Sequence, residues 1–314
     1  MRKNVSLAWL VVIFASLIIF AGCKKKEFFI ATGGTTGTYY AFGSAVASLL
    51  SEETGIPLFV QISGASKANI QLINAGNVEF AIVQNDVMDY AWRGVDLFNG
   101  EKTNSFSCMA ALYAEVCQVV ASAESGITGI DGLRGKNVSV GDAGSGVEFN
   151  ARQILEIYGI TFNDIDMHNL SFGSSADALV ENKIDAFFCI AGTPTPAIAD
   201  LAAAKEIVIL EIDLAAELIK KYPFYSRHRL PAGSYRNQAD DITTVAVKAA
   251  LIASNSVPED MVYTLTKALF ENKARIEAAH PKGKELSTAY AVEGISVPFH
   301  PGSVKYYREI GAFF

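Results

Sequence analysis

Between Phe28 and Asp86 the sequence alternates two kinds of segment with a regularity that leaves few folds open. Short apolar runs, FFIA, LFVQI and FAIV, are separated by longer stretches of helical spacing, YYAFGSAVASLLSEETG and KANIQLINAGN. A run that is apolar on both sides of an extended chain needs cover on both faces, which parallel sheets obtain from the helices that connect their strands. The order strand–helix–strand–helix–strand therefore predicts a parallel α/β layer. A second unit of the same kind opens at LRGKNVSVGDAGSG, with strand NVSVG, a glycine turn and helix VEFNARQILEIYG; IDAFFCIAG and KEIVILEI add buried strands. With 314 residues, 50% of them hydrophobic, the chain can fill two cores, and two similar α/β domains are the economical reading. CMAALYAEVCQVVAS reads as one long strand or two meeting at a bend, and KKYPFYSRHRLPAGSYRNQ as a connection between domains. DITTVAVKAALIAS is a late strand that could return to the first domain, and helices over about 259–279 and 283–290 complete the chain.

The beginning of the chain carries a different signal. Arg2 and Lys3 precede an apolar run over 7–22 that is too short and wrongly flanked for a membrane span. FAGC then sets two small residues before Cys23. The segment resembles a bacterial lipoprotein signal, with 1–22 as signal peptide, Cys23 lipidated and 23–27 as tether. That predicts an extracytoplasmic protein held to a membrane by acyl chains. A formal charge of −7 supplies no basic footprint for nucleic acid. Histidines are scattered at 168, 228, 280 and 300 and no CxxC occurs, so neither a metal site nor a cofactor is expected. Cys108 and Cys117 could pair in an oxidising compartment, or sit as buried thiols in a strand.

Two glycine turns carry the chemistry. TGGTTGTYY has neither the spacing of a dinucleotide fingerprint nor the Lys-Ser/Thr of a phosphate loop. It leaves backbone N–H groups at a helix start among threonine hydroxyls, a place that suits a carboxylate. GDAGSGVEFN repeats the arrangement in the second unit, with Ser145 as either ligand donor or plain N-cap. One such turn per unit, at strand ends that face a cleft, favours a ligand. Between them FAIVQND ends in Gln84 and Asp86, the latter either a cleft residue or a cap of the next helix; Ser66 starts another helix; Thr193 and Thr195 finish a strand of the second unit. Glu115 in LYAEVCQVV is a carboxylate in an apolar strand, to be paired with an arginine or with a substrate ammonium group. No arrangement of nucleophile, base and acid argues for an enzyme.

IATGGTTGTYYAFG, SGASKANIQLINAGNVEFAIVQND, LYAEVCQVV, GDAGSGVEFNARQIL and VPFHPGSVKYYREIG, in this order, resemble the TAXI solute receptors of the tripartite ATP-independent periplasmic (TRAP) transporters. The resemblance implies an α/β, two-lobed fold like that of type II periplasmic binding proteins, with hinge-linked domains around a ligand cleft. It implies binding of a small carboxylate, a glutamate-like amino acid or a dicarboxylate, and delivery to a TRAP-type permease with fused small and large membrane subunits. The lobes would be 28–113 with 236–314, and 114–235 including hinge segments. Carried onto matching positions, it marks Thr36, Gly37 and Tyr39, then Ser66 and Asn69 of the SGxSxxN segment. It also marks Gln84 and Asp86, Glu115 of the LYxE motif, and Ser145 with Gly146. Cys117, Gln118 and the two prolines of GTPTPAI depart from the pattern. The alternative is the binding component of an ATP-driven importer for a phosphonate or sulfonate.

Overall fold

The computed structural model describes residues 26–312; the signal segment and Cys23 lie outside them. Strands β1 (Phe28–Ala31), β2 (Leu58–Gln61) and β3 (Phe80–Gln84) form a parallel wing in the order β2-β1-β3. Each is followed by a helix: α1 (Thr38–Thr54), α2 (Ser66–Asn74) and α3 (Asn85–Arg93). Every residue of β3 is buried, because Phe80 and Ile82 point into one apolar cluster and Ala81 and Val83 into another across the sheet. Gly43 lets α1 lie close on this wing: a Cβ there would stand 2.9 Å from the Thr32 methyl and 3.3 Å from Ile82. That closeness outweighs the helix cost of glycine, about 1 kcal/mol.

The second parallel wing is β7 (Ala186–Ala191), β5 (Asn137–Ser139) and β6 (Asp166–His168). Its helices are α4 (Gly146–Ile157), α5 (Phe172–Val180) and α6 (Pro196–Ala204). Here too alternate residues serve opposite cores, with Phe187 and Cys189 on one face and Phe188 and Ile190 on the other. β8 (Ile207–Leu210) pairs the long strand β4 (Phe106–Ser122), and α7 (Ala215–Lys221) follows.

Two long strands join the wings. β4 (Phe106–Ser122) and β10 (Ile242–Ser254) run antiparallel from the Phe106↔Ser254 pair to Val116↔Ala246. β10 pairs β3 through Ala249–Ala253, and β4 pairs β7 through Val116–Ala121, giving the order β2-β1-β3-β10-β4-β7-β5-β6. LYAEVCQVV is thus the middle of one continuous strand. Cys108 and Cys117 both lie on it as buried free thiols. Nine residues of extended chain separate them by roughly 30 Å, which rules out a bridge between them.

The aromatic and basic stretch read as a connection contains a strand, β9 (Ser226–Leu230), because its alternation lets it pair with Ile242–Ala246 of β10. After β10 the chain packs on the first wing through α8 (Glu259–Glu271), α9 (Lys273–Ala279), α10 (Thr288–Val292) and α11 (Pro301–Glu309). The single helix expected over 259–279 breaks at Asn272, whose side chain donates to the Ala268 carbonyl (3.0 Å). A 3-10 turn over Pro281–Glu285 precedes α10 where one helix was expected. Among the described residues no helix is long and apolar enough to cross a membrane.

Candidate functional site

The glycine turn after β1 delivers α1 to the gap between the wings. Gly37 is the N-cap of α1 and makes no side-chain cap, so the first-turn N–H groups receive no capping oxygen. They border a cavity of about 470 Å³. The first wing lines it with residues 33–39, Ile62, Ser63, Ala65, Ser66 and Gln84, and Glu115 of β4 joins them. The second wing contributes Asp142, Ser145, Val147, residues 171–174, Asp177, Ile190 and Ala191. Tyr39, Ser66, Gln84, Glu115 and Ser145 are buried, whereas Thr35, Ile62, Asp142, Ser174 and Asp177 are exposed and mark the mouth.

Of the residues marked in the sequence, Thr36, Gly37, Tyr39, Ser66, Gln84, Glu115 and Ser145 share this one cavity. Several are already engaged. Ser145 accepts from the N–H of Glu148 (3.1 Å), so its hydroxyl caps α4. Ser66 accepts from the N–H of Gln84 (3.0 Å) and ties α2 to the end of β3.

Asn69, Asp86, Gly146 and Thr193 stand outside the cavity lining. Asn69 donates to the carbonyls of Thr32 (2.6 Å) and Ile82 (2.7 Å), bracing β1 against β3. Asp86 accepts from the N–H of Val87 (2.8 Å) and from Asn150 of α4 (2.9 Å). Gly146 is packed against Gln84 of the opposite wing: a Cβ there would lie 1.8 Å from its Oε1. In the turn beside Thr193, Thr195 accepts from Gln118 (3.0 Å) and its N–H donates to Tyr235 (2.8 Å), which turns that segment toward β4.

The wings touch each other directly. Thr38 donates to the Gly192 carbonyl (2.8 Å) and the Ala197 N–H to the Thr36 carbonyl (3.3 Å). Gln84 donates to Asn150 Oδ1 (2.6 Å), and Gln153 donates to Tyr90 (3.0 Å). Burial in this seam pushes the Asp86 carboxyl up to about 6, against which the hydrogen bond from Asn150 acts.

Glu115 is only 2% exposed. Its Oε2 accepts from the Tyr39 hydroxyl (2.7 Å), and among the described residues it has no ion-pair partner. The nearby buried ammonium of Lys282 is taken by Glu285 (2.6 Å). Burial first of all, with the Tyr39 bond opposing, raises the Glu115 carboxyl from 4.5 to about 8. The raised value means that the folded state keeps a proton which the unfolded chain has lost. Its stabilising effect is complete below about pH 4.5 and disappears as the pH rises through about 8; Asp86 acts in the same direction from 3.8 to about 6. The ligand-free protein should therefore melt at a lower temperature at pH 8.5 than at pH 5. Glu115→Gln should flatten the part of that slope above pH 6. Thermal unfolding across pH checks both, and a slope unchanged by Glu115→Gln would contradict the assignment.

Three lining features escaped the sequence reading. Asp142 lies inside the GDAGSG turn itself, where the glycines and serine drew attention. Phe172 and Asp177 come from α5, a further helix start capped by Ser171, which accepts from the N–H of Ser174 (3.2 Å). The serine before a helical run in LSFGSSADAL was the available signal; nothing local shows that α5 faces α1.

The model of the NMT1-like family matches residues 30–311. The chain belongs to the NMT1-like family. Solved structures share its architecture. One described as a periplasmic transporter aligns with TM-score 0.57 at 17% identity, over 93% of this chain and 94% of its own. MatC from Rhodopseudomonas palustris with bound malate aligns with TM-score 0.55 at 12% identity, over 82% and 88%. The GluR0 ligand-binding core from Nostoc punctiforme in complex with L-glutamate gives 0.52 at 15%, over 83% and 100%. At these identities the likeness concerns the fold. This NMT1-like protein has the two-lobed, type II-like fold of periplasmic binding proteins, its wings being the lobes.

Proposed function

We propose that this NMT1-like protein is an extracytoplasmic receptor for a small carboxylate that also carries an amino group. In this reading it is a TAXI-type receptor, tethered by lipid at Cys23, that hands its solute to a TRAP-type permease. The observation that carries the reading is one cavity between two lobes, in which an uncapped helix start lies beside a buried carboxylate with no ion-pair partner. The α1 N–H groups suit a carboxylate. Glu115, hydrogen-bonded to Tyr39 in the first turn of α1, suits an ammonium group on the same solute. An α-amino acid meets both demands better than a plain dicarboxylate does. A doubly charged phosphonate is disfavoured because no lysine, arginine or histidine lines the cavity.

Closure around the solute would bend β4 and β10 where they leave β3 and β7, with lobes near 28–113 plus 236–314 and 114–235. The seam contacts form only when the lobes meet, which lets a permease distinguish loaded from empty receptor. The test is thermal shift against amino acids and dicarboxylates, with mass spectrometry of copurified solute. A stoichiometric amino acid supports the reading, and the absence of any small acid or amino acid overturns it. Uptake in vesicles driven by ATP rather than by an ion gradient would instead favour an ATP-driven importer.

A further inference from the structure

The charges around the cavity restrict the solute further than its amino and carboxylate groups do. Three of the lining residues are acidic, Glu115 from β4 and Asp142 and Asp177 from the second lobe, and none is basic. The side chains of Asp142 and Asp177 form no ion pair and no hydrogen bond among the described residues, although both stand in the cavity wall. Asp142 stands at the exposed mouth, yet partial burial still raises its carboxyl. Two cations near the cleft do not answer these charges. Lys282 is paired with Glu285, and Lys67 lies by Gly144 with its ammonium over the Phe98 ring (5.9 Å).

If the solute's carboxylate sits at the α1 start and its ammonium at Glu115, both ends of an α-amino acid backbone are held on one side of the cavity. Its side chain then extends toward the second lobe and the mouth, where Asp142 and Asp177 present acceptors only. A terminal amide or cation finds partners there. A terminal carboxylate meets like charge at the cavity mouth, where no lining cation offsets it.

We propose that Asp142 and Asp177 determine specificity by admitting α-amino acids whose side chain ends in an amide or a cation and rejecting those that end in a carboxylate. This rests on the amino-acid reading of the cavity. It makes the second lobe the selector and the first lobe with Glu115 the general holder of the amino acid backbone.

Glutamine and glutamate differ at that one end and are nearly isosteric, so their affinities isolate the charge. Calorimetry on the full mature chain at pH 7.5, with glutamine, glutamate and lysine, is the experiment. Glutamine should bind at least about tenfold more tightly than glutamate, with lysine also bound. In a chain carrying Asp142→Asn and Asp177→Asn the ratio should fall toward one, chiefly through tighter glutamate binding. Both positions are exposed, so thermal unfolding should be unchanged and serves as the folding control. Equal or tighter binding of glutamate by the unaltered protein overturns the proposal. So does a ratio unmoved in the folded double variant. Failure of every α-amino acid to bind would overturn the receptor reading itself, and this inference with it; binding without charge discrimination removes the inference alone.

Discussion

Replacing Glu115 with glutamine is expected to weaken binding of the preferred α-amino acid about 100-fold, on the order of 3 kcal/mol, while the 2-oxo acid of the same skeleton loses about threefold or less. The carboxylate is buried, bonded to Tyr39 alone among side chains, and without an ion-pair partner among the described residues. An ammonium group in the cavity supplies that partner, and an amide cannot replace the charge. Burial holds the Glu115 proton up to about pH 8, so at pH 7 the empty site is mostly neutral. Ionising it costs about 1.4 kcal/mol at that pH, less than a desolvated ion pair returns. Binding should therefore release about 0.9 proton per solute at pH 7, where the solute's amino group is already protonated. Calorimetry in buffers of different ionisation enthalpy reads this directly. Equal losses for amino and oxo acid, or no proton release by the unaltered protein, would remove Glu115 from the ammonium role.

Gly146→Ala should separate closure from folding. Alanine at the first position of α4 is compatible with a helix, so the variant should fold, its thermal midpoint lowered by no more than a few degrees as the seam gives way. In the closed protein, however, the new methyl would lie 1.8 Å from Gln84 Oε1, 2.7 Å from its Cδ and 3.0 Å from a methyl of Val87. Gln84 can withdraw only by giving up its hydrogen bond to Asn150, inside a seam where a lost partner costs about 1–3 kcal/mol. Affinity should fall about 30-fold, and X-ray scattering should show the radius of gyration contracting less on adding solute than in the unaltered protein. Full contraction with unchanged affinity would mean that Gln84 moves aside without cost and that Gly146 has no part in closure.

Much of this was legible in the chain. The alternation of apolar runs with helical stretches pointed to two α/β units, and the turn at Thr36 and the turn at Ser145 do border one cavity. The apolar runs and the two glycine turns are local properties, set by residues within a few positions of each other. Which hydroxyl remains available was harder to read. Ser145 looks the same in sequence whether or not it caps α4; the distance to the Glu148 N–H shows that it does, an acceptor role that still leaves its O–H as a donor. Asn69 and Asp86 are polar residues beside the site whose partners come from β1, β3 and α4, and those partners turn them away from the cavity.

In the two parallel wings the sequence by itself determined where strands end and helices begin, because hydrophobic period, glycine turns and capping residues act over a few bonds of chain. It also determined that Glu115 would be a carboxylate in apolar surroundings, since its strand neighbours are written next to it. Tertiary structure alone decided that Glu115 faces Tyr39 and a cavity, that Gly146 must be small because of Gln84, and that Asp142 and Asp177 share a wall. Those outcomes depend on which groups are packed opposite from the other lobe, and the contacts that decide them span tens of residues of intervening chain.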